Sequence, residues 1–248
     1  MPEPTNSNGG SDASGNTTTN AGTPGHNPPT PRKRADQDQQ LAERANETRQ
    51  IVGVIMGDGA VRSKLAAKGF DTQRLNEAIA SCDVFDTKWN ERQNAMGVQT
   101  TKVEVFAKLF DEATKLQSDF REIVRGAENP PPPSALLVAC GITGEVPTDL
   151  QKFLTHAKSA YTSAKKAEYS VFMTKLGYTP AVLDAQLTAL ETLRKADEEH
   201  SKESGNAQLA TDERDKAFEP VNAFRNSVMK IARRVFRTEP EQLSKLDF

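Results

Sequence analysis

Between Ala217 and Val235 apolar residues recur at alternating four- and three-residue steps: Ala217, Val221, Phe224, Val228, Ile231 and Val235. Such a run puts one continuous apolar seam along about five helical turns, which only a helix packed lengthwise on other helices can bury. The same seam occurs 108 residues earlier as Leu109, Ala113, Leu116, Phe120, Ile123 and Ala127. A second pair of seams agrees at the same shift, with Leu75, Ile79, Cys82 and Phe85 matching Leu183, Leu187, Leu190 and Leu193. Identities fall at Gly69 and Gly177, Glu91 and Glu199, Gly97 and Gly205, Lys108 and Lys216, and Arg125 and Arg233. The expectation is an all-α chain built as two tandem three-helix units that form an antiparallel helical bundle.

Punctuation fixes the expected boundaries. Glycine followed by a capping residue, at Gly69-Phe70-Asp71-Thr72 and at Gly177-Tyr178-Thr179-Pro180, ends one helix and starts the next. Hairpin turns are expected at Gly97 and Gly205, and a break or bend at Gly53 and at Gly57-Asp58-Gly59. Four prolines, Pro130 to Pro133, forbid helix and open a linker over residues 129–147, after which Thr148-Asp149 offers an N-cap. Within the linker, Ala135 to Ala139 reads as a brief helix or as part of the connection. The first helical unit is therefore expected over 36–128 and the second over 148–248. Residues 1–35, rich in Ser, Thr, Asn, Gly and Pro, bury too little apolar surface to offset the entropy of ordering and read as a disordered tail. The tail ends in Pro29-Thr30-Pro31-Arg32-Lys33-Arg34, where extended proline-rich chain meets three cations.

Lys175 to Pro180, Gly205-Asn-Ala-Gln-Leu-Ala-Thr-Asp-Glu-Arg-Asp215 and Val228-Met-Lys-Ile-Ala-Arg233 together resemble a group of bacterial tandem helical-hairpin proteins with no assigned activity. The likeness covers residues 148 to 240 and the first half in outline; the terminus Leu243-Ser-Lys-Leu-Asp-Phe248 departs from the group's Leu-Gly-Ile-like ending. It implies a helical fold and a bacterial source, and no function.

The chemistry-bearing residues are sparse. Lys and Arg number 32 against 34 Asp and Glu, so no global field marks a nucleic-acid or membrane binder. Cys82 and Cys140 lack ligand or framework spacing, and no run is long enough to span a membrane. These features point to a cytoplasmic setting. Asp197-Glu198-Glu199-His200 is one acidic and histidine cluster, but the shifted positions are Trp89, Asn90, Glu91 and Arg92, so the paired Glu-x-x-His set of a di-iron bundle is not there. No nucleophile stands with a recognisable base, and no cofactor or small-molecule substrate is indicated.

Two surface readings remain. Arg225, Lys230, Arg233, Arg234 and Arg237 form a basic cluster without an acid between Glu219 and Glu239. Cations there complement a helix C-terminus; the sharper reading makes Lys230, Arg233, Arg234 and Arg237 contacts for a polyanion, a nucleic acid included, bound without sequence preference. Trp89 is either core packing or an anchor for a protein partner. The preferred expectation is a non-enzymatic scaffold or adaptor that binds proteins or itself; polyanion binding through the basic last helix is the alternative.

Overall fold

The computed structural model describes residues 31–246. The chain divides into residues 1–40, of which 31–40 begin the first helix, and residues 41–248, to which all contacts below belong. Among the described residues every element is a helix: α1 (Pro31–Gly57), α2 (Gly59–Ala66), α3 (Thr72–Arg125), α4 (Ser134–Ala139), α5 (Leu150–Ala164), α6 (Ala167–Lys175), α7 (Pro180–Val235) and α8 (Pro240–Ser244). The all-α expectation holds. The disordered tail lies outside the described residues except at its end, where Pro31 opens α1 rather than extending a polyproline segment. The fixed φ of proline suits the first helical position, where its missing N–H is not needed.

The local starts and stops follow the capping chemistry. Asp71, Asp149 and Thr179 cap α3, α5 and α7, each accepting from the backbone N–H three residues on. Asp58 accepts from the Ala60 and Val61 amides and so separates α1 from α2, whereas α1 runs unbroken through Gly53. Gly69 and Gly177 adopt φ of 86° and 88°, the left-handed conformation that ends the preceding helix.

The expected hairpin turns at Gly97 and Gly205 do not exist. α3 and α7 pass through these glycines as single helices of 54 and 56 residues. A glycine inside a helix costs about 1 kcal/mol relative to alanine, too little to break a helix held along its length by a neighbour. α7 also carries Pro220 in its interior, on the exposed side where water can satisfy the carbonyl left without a donor.

α3 and α7 lie antiparallel in one register. Lys88 pairs with Glu213 at 2.9 Å and Lys102 with Glu199 at 2.7 Å, on either side of the level of Gly97 and Gly205. Between them Arg92 Nε donates to Thr211 Oγ1 at 3.3 Å and Gln99 Nε2 to Ser204 Oγ at 3.3 Å. The first core joins Ile51, Ile55, Val61 and Leu65 to the start of α3 (Leu75, Ala78) and the end of α7 (Phe224, Val228, Ala232), with Phe70, Phe236 and Leu246 closing it. The second joins the end of α3 (Ala113, Phe120, Val124) to α4, α5 and α6 and to the start of α7 (Leu183, Leu190, Leu193). The cores thus do not follow the boundary between residues 36–128 and 148–248; each takes one half of each long helix.

One seam needs correction. Leu116 and Ile123 are 37% and 44% exposed, while Gln117 and Val124 occupy the buried face with Ala113 and Phe120. The buried row keeps its four- and three-residue steps, but Gln117 gives it no apolar signal at that position, which drew the reading one residue off.

No added Cβ meets another atom within 4 Å at Gly97 or Gly205, and neither has a positive φ. Gly97→Ala and Gly205→Ala are therefore each expected to stabilise the protein by about 0.5–1 kcal/mol. Gly177→Ala, at its left-handed φ, is expected to destabilise by roughly 1 kcal/mol. Urea unfolding checks all three, and destabilisation by the first two would place turns back at these sites.

Candidate functional site

The last turns of α7 carry Lys230, Arg233 and Arg234, and Arg237 follows in the turn just beyond its end; all four are exposed. A step of four residues puts Lys230 and Arg234 on one stripe of the helix, with Arg233 beside it. They stand there because the other face of α7, Val228, Met229 and Ala232, and its C-cap Phe236 are held in the first core. Nearby charges are already engaged: Arg225 with Glu47 at 2.6 Å, Lys245 with Asp58 at 2.7 Å, and Lys64 with Glu239. Among the described residues Lys230, Arg233, Arg234 and Arg237 form no ion pair. The side chains of Arg32, Lys33 and Arg34 lie outside the described residues.

Trp89 is half-buried in a small cluster between the two cores, with Leu41, Phe85 and Ala217. Its ring lies 5.8 Å from that of Phe85, and the Arg214 guanidinium sits 5.7 Å from its centroid. Arg214 is itself buried and holds Asp215 at 2.6 Å. Phe85 and Arg214 thus cover part of the indole, leaving the remainder to solvent.

The Asp197–His200 cluster is spread over other tasks. Glu199 binds Lys102 across the helix pair, which holds its carboxyl below the usual range. The His200 ring stacks on Phe106 at 5.5 Å. Among the described residues no group of three or more His, Cys, Asp and Glu side chains is placed to hold a metal ion. No helix among them is long and apolar enough to cross a membrane.

Sequence reading missed Arg121. It is buried on the second core and donates to the carbonyls of Gly141 at 2.9 Å and Ile142 at 3.0 Å, and to Gly144. Arg125, one turn on, donates to Ile142 as well. These bonds fasten the loop after α4 to α3. Burial, helped by neighbouring Arg125, lowers the Arg121 pKa. A cavity of about 440 Å³ lies beside the pair, lined also by Ser118, Glu122 and Gly126. An arginine flanked by apolar seam residues was the available signal, and long helices carry many such arginines on solvated faces.

Cys82 and Cys140 are buried free thiols, their Sγ atoms directed at the carbonyls of Ala45 and Ala160. Burial pushes both thiols up, Cys140 to about 11. Neither has the exposed, electropositive surroundings that activate a thiolate.

No family model, curated protein or solved structure matches the chain.

Neither thiol should react with a maleimide or an aromatic disulfide at pH 8 in the folded protein. Two equivalents should appear on unfolding in denaturant, and fast labelling of native Cys140 would contradict its burial.

Proposed function

We propose that this chain is a non-enzymatic helical scaffold that binds proteins, a second copy of itself among them, through the faces of its two long helices. The observation that supports this is the extent of α3 and α7 beyond their cores. Over residues 93–112 of α3 no residue is buried, so much of that helix's circumference meets solvent. Val98, Val103 and Val105 on α3, and Leu209 on α7, are 41 to 58% exposed. A helix pair that stiff and that long presents side chains at fixed spacing over tens of ångströms, which suits recognition of another helix.

The architecture reads in the same proposal as two three-helix units that exchange the distal halves of their long helices. Its support is the matched role of Gly69 and Gly177 before the capped starts of α3 and α7. A reducing, cytoplasmic setting is part of it too, because two buried thiols stay unpaired. Light scattering on the full chain tests the self-binding element. The expected mass is a whole multiple of 27.1 kDa that persists on dilution to micromolar concentration. A single-chain mass at every concentration removes self-binding from the proposal.

One observation favours a second reading. Lys230, Arg233, Arg234 and Arg237 stand exposed without ion pairs while neighbouring cations are engaged, which is the arrangement a phosphate backbone meets most readily. On this reading the protein retards duplex DNA of any sequence at low salt, and Arg233→Glu with Arg234→Glu abolishes the shift. Absence of a shift with the unaltered protein at about 50 mM salt, where such contacts are strong, disposes of it.

A further inference from the structure

The geometry points to an antiparallel pairing of α3 with the α3 of a second copy, through an apolar stripe that this chain leaves open. The inference rests on the self-binding element of the proposal above and names its surface. Val98 and Val105 are seven residues apart, as are Leu109, Leu116 and Ile123. Seven residues advance a helix by nearly two full turns, so the five share one stripe that runs about 37 Å along α3. Val98 and Val105 are each 46% exposed, Leu116 37% and Ile123 44%, and Leu109 is half-buried. The positions of α7 that correspond to the last two, 108 residues on, are Phe224 and Ile231. Those are 8% exposed and half-buried, packed in the first core. Only α3 leaves this face uncovered.

The occupant is argued from charge. On the flank of the stripe away from the chain's own core lie Lys108, Glu112, Lys115 and Asp119, all exposed. Among the described residues Lys108 pairs with Glu112, at a long 3.9 Å. The order of signs, plus, minus, plus, minus, is its own complement when reversed. About a twofold axis between residues 113 and 114, Lys108 faces Asp119 of the second copy and Glu112 faces its Lys115, each contact occurring twice. The same axis brings Val105 near Ile123 and Leu109 near Leu116, whose own centres lie within about 1.5 Å of it along the helix. In a parallel pairing the two charged flanks fall on opposite sides of the seam, so none of these pairs forms. Exposed ion pairs contribute little affinity individually, so the apolar stripe drives association and the charges choose its direction.

The test uses the full chain in three forms: unaltered, Lys108→Glu with Lys115→Glu, and Glu112→Lys with Asp119→Lys. The first variant makes the flank wholly acidic and the second wholly basic, so each should lose the dimer that the unaltered chain forms. Their equimolar mixture should regain it, because every facing pair is then opposite in sign. Light scattering reads the mass, twice 27.1 kDa for the dimer. Recovery on mixing also shows that both variants fold. Leu116→Lys, checked for helicity by circular dichroism, should lose the dimer with either partner. If the unaltered chain has single-chain mass, the self-binding element and this pairing fall together. If it dimerises but the variants retain the dimer or the mixture does not recover it, self-binding stands and this surface is wrong.

Discussion

The register of α3 against α7 is the constraint from which the rest of this structure follows. Two helices of more than fifty residues cannot be covered by one compact core, since each extends about 80 Å. Run antiparallel, they bring the start of one to the end of the other, and each end then needs only a few short helices to close it. α1 and α2 do this at one end, and α4, α5 and α6 at the other. A slip of one turn would separate Lys88 from Glu213 and Lys102 from Glu199, and would also carry Phe224 away from Phe70, with which it makes an edge-to-face contact at 5.8 Å. The ion pairs alone hold little. Aromatic packing at both ends gives the register its energy, including Phe120 against Tyr161 at 5.2 Å and Tyr178 at 5.0 Å.

What could be read in the sequence was local. Caps at Asp71, Asp149 and Thr179 and the glycines at 69 and 177 announce themselves, because each involves a backbone group that one nearby residue must satisfy. Gly97 and Gly205 look much the same in the sequence and do the opposite. Nothing local separates a glycine that ends a helix from one that a helix crosses; the difference lies in whether a partner helix supports the chain on both sides. The exchange of helix halves between the two cores follows from that one misread feature. A hairpin at Gly97 would fold the end of α3 back on its own start, whereas the continuous helix delivers Ala113, Phe120 and Val124 to a core built with α5 and α7.

The candidate surfaces divide in the same way. The basic residues at the end of α7 were visible because no acid interrupts them in sequence. Arg225 was in that list too, and only the fold shows that Glu47, from a helix distant in sequence, engages it. Trp89 was visible as the single tryptophan, but the Arg214 that overlies it comes from the opposite long helix. The open stripe on α3 was hidden inside a seam read as core. Leu116 and Ile123 belong to that apolar row, while the true core position one turn on from Ala113, next to Leu116, is an amide, Gln117, fully buried. Hydropathy assigns the leucine to the interior and the glutamine to the surface, and packing reverses both.

That reversal bears on how such a protein can bind another. A buried amide without a protein partner costs stability, and an exposed leucine costs solubility, so each departs from what folding alone favours. Gln117 is fully buried on the face that Ala113 and Phe120 share with the second core. At Leu116 and Ile123 the described chain supplies much less cover, although the matching positions of α7 are packed into the first core. The asymmetry between two otherwise similar ends is the part of this structure that its own folding does not explain. A second helix laid along α3 would remove it by burying the leucine row while leaving the amide where it is.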